Sequence, residues 1–197
     1  MLKRNEEFHM AVYPKGYEVT MVPKETKGYR YALEIDTPYP SKNLSLFVLM
    51  MNPSVADSRN MDPTVTTIIK NLGKNYSRII IVNTTPVIET SSDNLKNHQS
   101  EINQQAMVNA KTVGRMVKEA KHFHFLVATG EIQKGVNDKS YIELMNKIDD
   151  MTTGDGLYTV RLTKDGYGGH PLYKKTSEIQ NLTHIRKADD QWHFVVD

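Results

Sequence analysis

Three short stretches hold the residue types that chemistry needs. Asn52-Pro53-Ser54 follows the apolar run Leu46-Phe47-Val48-Leu49-Met50-Met51, Asn83-Thr84-Thr85 follows Arg78-Ile79-Ile80-Ile81-Val82, and His170-Pro171-Leu172 follows Gly168-Gly169. An asparagine amide offers a donor and an acceptor together, and an imidazole changes its proton near neutrality. Pro53 cannot donate to a sheet ladder, so it ends the strand and fixes a short polar side chain, Asn52, where the sheet gives way to a loop. Taken alone, Asn-Pro reads as a strand-ending turn. Whether the three stretches form a site depends on the elements that carry them.

Those elements follow from periodicity. Short continuous apolar runs read as buried parallel strands, and they occur at 46–51, 78–82, 123–128 and 157–162. Asp62-Pro63-Thr64 opens a helix: aspartate suits the N-cap, proline suits the first position, Val65, Ile68, Ile69 and Leu72 share one face, and Gly73 ends it. A longer helix over about 101–120 carries Ile102, Ala110, Val113 and Val117 on one face, and Tyr141, Leu144, Met145 and Ile148 mark another. Tyr29 to Ile35 alternates and reads as an edge strand, preceded by at most one short strand over Tyr17–Val22. Gly154-Asp155-Gly156 reads as a turn, 177–182 as a last helical turn, and 183–187 with 191–196 as a hairpin. Strands alternating with helices predict an α/β fold, a three-layer α/β/α sandwich with a mostly parallel four-stranded central sheet. One domain is expected over 1–197: an irregular lead-in over 1–28, the α/β core over 29–182 and the C-terminal hairpin over 183–197. Right-handed crossovers place the C-terminal ends of parallel strands on one edge, where ligands bind in such sheets. All three polar motifs fall on that edge, and this convergence turns three turns into a candidate site.

Composition narrows the chemistry. The 197 residues contain no cysteine, which excludes disulfides, thiolate-held iron–sulfur clusters and a thiol nucleophile and fits a reducing cytosol. No apolar run is long enough to span a membrane and no signal peptide is visible, so a cytoplasmic protein is expected. A net charge of +2 permits nucleic-acid binding without arguing strongly for it. His122 and His124 have a spacing that could ligate a metal, but no third ligand accompanies them, so neither a metal nor a cofactor is expected.

The chain resembles a bacterial and phage family, domain-of-unknown-function family 1643, over roughly 29–173. That family carries Leu-Asn-Pro-Ser-x-Ala-Asp, then Asp-Pro-Thr, an Asn after the next strand and Gly-x-x-His-Pro-Leu-Tyr. These stand here as Met51 to Asp57, Asp62 to Thr64, Asn83 and 166–173. More remotely, the order of motifs is similar to the uracil-DNA glycosylase superfamily. Met50-Met51-Asn52-Pro53 matches the Asn-Pro form of its first motif, Ile81-Val82-Asn83-Thr84 its base-reading strand end, and His170-Pro171-Leu172 its last motif.

The second resemblance implies roles. Asn52 would position the attacking water, and His170 would stabilise the departing base. Asn83 would read the Watson–Crick edge of uracil, with Met51, Pro53 and Ser54 completing the base pocket. Leu172 and Tyr173 would wedge into the gap left by a flipped base, while Thr64, Lys174 and Lys175 would contact DNA. Uracil-containing DNA, single- or double-stranded, is the implied partner, with a protein partner as a further possibility. Departures are visible: Met50 replaces a glycine, Ser54 stands where the strictest uracil enzymes have a tyrosine, and no stacking aromatic is evident among Tyr76, Tyr167 and Tyr173. Two other readings stay open. One is a non-catalytic module binding uracil, nucleic acid or a protein. The other is a hydrolase of free nucleosides or nucleotides, using Asp57 and Asp62 as metal or ribose ligands.

Overall fold

The computed structural model describes residues 10–25, 28–152, 156–172 and 174–197. In chain order these form β1 (Ala11–Val12), β2 (Glu18–Val22), β3 (Ala32–Asp36), β4 (Ser45–Met50), β5 (Asn60–Met61), α1 (Pro63–Leu72), β6 (Arg78–Asn83), α2 (Gln99–Glu119), β7 (Phe123–Val127), α3 (Asp138–Thr152), β8 (Leu157–Thr159), α4 (Thr176–Gln180), β9 (Thr183–Lys187) and β10 (Phe194–Val196). The turn expected over 154–156 lies partly, and Tyr173 wholly, outside the described residues.

The fold is mixed α/β, but its sheet has eight strands rather than four, in the order β10-β9-β8-β7-β4-β6-β3-β2. β8–β7, β7–β4 and β4–β6 pair in parallel, while β10–β9, β9–β8, β6–β3 and β3–β2 pair antiparallel. Antiparallel pairings therefore outnumber parallel ones, against the expected mostly parallel sheet. The added strands are half-polar segments, suited to flanks that face water, whereas the continuous apolar runs occupy the centre. β3 is not the edge strand that its alternation suggests. β2 covers it, and Ala32, Leu33 and Ile35 are fully buried. β8 stops at Thr159, three residues short of the apolar run, because its ladder to β7 spans only Leu157 and Tyr158. The C-terminal hairpin forms, with its second arm shortened from 191–196 to Phe194–Val196, and it also extends the sheet through β8.

Alternation along the central strands sends side chains to two apolar layers. Phe47, Leu49, Phe125 and Val127 meet Val113 and Val117 of α2 and Leu144, Met145 and Ile148 of α3. Leu46, Val48, Ile79 and Leu126 meet Val65, Ile68 and Leu72 of α1 and Ile179 of α4. Each such fully buried side chain contributes about 1.5–3 kcal/mol relative to exposure. α1 starts as its sequence specifies: Asp62 Oδ1 accepts the Val65 N–H at 2.8 Å, and Pro63 occupies the first turn. It ends at Gly73 with φ −53°, running into a short 3-10 turn instead of a left-handed cap. A Cβ at Gly73 would stand 2.7 Å from the Tyr17 hydroxyl, so a larger residue there would displace the tip of that side chain. No helix among the described residues is long and apolar enough to cross a membrane.

Candidate functional site

The exits of β4 and β6 are stitched together. The Thr84 N–H donates to Met50 O at 2.9 Å and the Thr84 hydroxyl to Met51 O at 2.6 Å, while the Thr85 N–H reaches Met51 O at 3.2 Å. Asn52 and Asn83 are thereby held at one end of the sheet, where a cavity of about 300 Å3 opens. Asn52 Nδ2 donates to Pro53 O at 3.0 Å and to Glu89 O at 2.6 Å, so both its amide hydrogens are committed to main-chain carbonyls. Its Oδ1 is left to accept from a ligand.

Asn83 is 1% exposed and forms part of the cavity wall. Its carbonyl oxygen accepts from Asn109 Nδ2 of α2 at 2.8 Å, yet its own Nδ2 has no partner. A buried amide N–H without a hydrogen bond costs about 1–3 kcal/mol. Such a group marks either strain or a position that a ligand completes.

His170 reaches the same cavity by a different route. A Cβ on Gly168 would stand 2.2 Å from Val127 O, and one on Gly169 would stand 2.7 Å from Arg161 O. Only glycine lets this segment pass so close to the end of β7. The segment is also fastened to the C-terminal hairpin. The Phe194 N–H donates to Gly166 O at 2.7 Å, the Tyr167 hydroxyl lies 3.0 Å from His193 Nε2, and His193 Nδ1 lies 2.7 Å from Asp189 Oδ2. His170 Nδ1 accepts the Leu172 N–H at 3.2 Å, so the proton of the neutral ring resides on Nε2. Burial lowers the imidazole pKa, and the Asp62 carboxylate offsets part of that shift. The ring is thus a neutral donor at pH 7.

The structure brings Asn52, Asn83, His170, Met51, Ser54, Thr64 and Leu172 to one wall. Pro53 is buried beside that wall without lining it. Lys174 lines an adjoining cavity that shares His170 and Leu172, and Lys175 is exposed at the start of α4, outside both. Tyr76 and Tyr167 do not stack here. Tyr76 is buried against His124, which its hydroxyl meets at 3.0 Å, and Tyr167 serves the hairpin contact. The apolar surface offered to a ring is instead Met50, Met51 and Ile81. Asp57 is consumed by its own loop, its Oδ1 accepting the Arg59 and Asn60 N–H groups at 2.7 Å each.

Asp62, read as a helix cap, performs that role and also lines the cavity. Sequence reasoning missed Arg30, Asn109 and Thr129. Arg30 is 3% exposed and lines the cavity from just before β3, whose N-terminal end reaches this edge because β3 runs antiparallel to β6. Thr129 follows β7 and is fully enclosed. The available signals were a cation inside the aromatic stretch Tyr29-Arg30-Tyr31 and a polar residue on the apolar face of α2. Among the described residues no group of three His, Asp or Glu side chains could hold a metal ion.

The family model described as protein of unknown function (DUF1643) matches residues 30–172, most of the chain. No curated protein and no solved structure matches it.

Proposed function

The chain belongs to the DUF1643 family, and we propose that it is a uracil-DNA glycosylase-like protein that binds a flipped-out uracil and hydrolyses its N-glycosidic bond. The observation that carries this reading is Asn83, a buried amide with an unpartnered nitrogen, on a wall shared with the free Oδ1 of Asn52 and the imidazole of His170. Uracil presents O4 as an acceptor and N3–H as a donor, which an asparagine amide complements; cytosine presents the reverse pattern. Helices on both faces and a cavity at the ends of parallel strands support the same α/β/α, glycosylase-like arrangement.

In the proposed reaction the bond from the sugar C1′ to the base N1 breaks, leaving an oxocarbenium-like sugar and a uracil anion. Asn52 Oδ1 accepts a hydrogen bond from a water that attacks C1′. Being neutral, it orients that water more than it deprotonates it; once the water oxygen has bonded to C1′ its proton passes to solvent, and the departed uracil anion takes a proton from solvent at N1. His170 Nε2–H donates to the base O2 as negative charge develops there, and a fixed donor in a site that excludes water is worth far more than one in solution. Leu172 would fill the gap left in the stack, and Thr64, Lys174 and Lys175 would contact the strand.

The test is base release from an oligonucleotide containing one uracil, single-stranded and duplex, with Asn52→Ala as control. Release by the wild type and none by the variant is expected. No release, with uracil still raising the melting temperature, would replace hydrolysis with binding alone. Neither release nor thermal protection would remove uracil from the site.

A further inference from the structure

Arg30 is a buried cation whose surroundings leave it incomplete. Its guanidinium donates through Nη1 to Ala56 O, and its Nε has no partner. No carboxylate of the described residues lies within ion-pair distance of it. The Asp62 and Asp57 carboxylates favour the charged form of Arg30 from beyond ion-pair distance, but burial outweighs them, and the oxygens that bond the main chain are not directed at the guanidinium. Asp62 caps α1 through Val65, and Asp57 accepts the main-chain N–H groups of Arg59 and Asn60. Tyr13 donates to Asp57 O at 3.1 Å, and burial raises its pKa far above neutrality, so it stays an uncharged phenol. A cation in such a place is costly unless it is paired and hydrogen-bonded. It lines a cavity large enough for a small ligand, and a guanidinium matches anionic oxygens with two parallel donors.

We propose that Arg30 is the anion-binding residue of this cavity, and that the ligand carries an anionic oxygen group beside the part read by Asn52, Asn83 and His170. Two sources supply that chemistry: the phosphate of the bound nucleotide, or a carboxylate borne by the base. The inference deepens the uracil reading and rests on it for the identity of the neutral part, but Arg30 binds an anion whether or not that part is uracil.

The experiment is titration calorimetry of the wild type and Arg30→Gln with uracil, deoxyuridine, deoxyuridine monophosphate, 5-carboxyuracil and inorganic phosphate. A charged ligand is expected to bind the wild type about tenfold or more tighter than its neutral parent, an advantage lost in Arg30→Gln. The monophosphate gaining against deoxyuridine identifies phosphate as the source, and 5-carboxyuracil gaining against uracil identifies a base carboxylate. Equal affinity for charged and neutral ligands in the wild type would overturn the proposal while leaving the uracil reading intact. Arg30-dependent binding of phosphate without any binding of uracil would uphold it and sink the uracil reading. No binding of any ligand would overturn both. Should Arg30→Gln fail to fold, Arg30→Lys and the charged-against-neutral comparison in the wild type decide the question.

Discussion

Replacing Asn83 by alanine separates what the residue does for the fold from what it does for a ligand. A buried asparagine with a full set of hydrogen bonds costs protein stability when truncated, because the bonds go and a cavity remains. Here the side-chain nitrogen has no partner to lose, and its desolvation of about 1–3 kcal/mol is relieved by the substitution. The void left behind joins a cavity that already exists, which limits the penalty for lost packing. The main-chain anchor from Asn109 to the Asn83 carbonyl is untouched. We therefore expect the stability of Asn83→Ala to lie within about 1 kcal/mol of wild type in urea unfolding. Uracil affinity should fall by about 2 kcal/mol or more, roughly thirtyfold, as a paired donor and acceptor are both lost. Asn83→Asp, which keeps the shape but exchanges the donor for a second acceptor, should weaken uracil as well. A loss of more than about 2 kcal/mol of folding stability in Asn83→Ala would refute the account of an unsatisfied amide. Unchanged uracil affinity would refute the base-reading assignment.

Four further outcomes are expected. Burial holds the folded-state pKa of His170 below its ordinary 6.5, so on acidification the unfolded chain takes up its proton first. Stability should fall as the pH drops through the window below about 6.5. Urea midpoints at about pH 7.5 and about pH 5.5 should differ less in His170→Gln than in wild type, with the less buried His124, whose pKa burial also lowers, contributing equally to both proteins. His170→Ala should slow base release far more than it weakens DNA binding, and equal losses in both would argue against a leaving-group role. Gly168→Ala forces a Cβ to within 2.2 Å of Val127 O, so the melting temperature should drop by about 5 °C or more; an unchanged value would show that the segment can shift freely. Asp62→Ala should cost about 1 kcal/mol through its lost cap, and Asp62→Ser should restore most of that; equal losses would assign the effect to the carboxylate's charge instead.

The central strands and the three polar motifs were readable because one pattern encodes both. A continuous apolar run specifies a buried parallel strand, and the polar residue that stops it marks the ligand-binding end. Asn52 and Asn83 announce themselves in this way, and His170 follows glycines that only a close backbone approach requires. The edges of the sheet were not readable, because whether an alternating strand such as β3 acquires a neighbour depends on distant residues, here those of β2. Arg30 was hidden for the same reason. Only the antiparallel pairing of β3 with β6 carries it to the cavity, and no local spacing records that register. Asn109 is a single polar residue on a helix face otherwise read as apolar, and its purpose is visible only once the Asn83 carbonyl stands opposite it.

The fastening of the 166–170 segment to the C-terminal hairpin has a mechanical consequence. Tension applied along β10 passes through Phe194 and His193 directly to Gly166 and Tyr167, four and three residues before His170. A surface tether, a bulky fusion or a binding partner that pulls on this strand therefore has a short lever onto the imidazole. A tether of the same kind near Ala11, on the separate two-stranded ribbon of β1 and β5, pulls instead on the loop that leads into α1. Attachment geometry is thus an experimental variable for this protein, and immobilisation through one end or the other should load different parts of the same cavity.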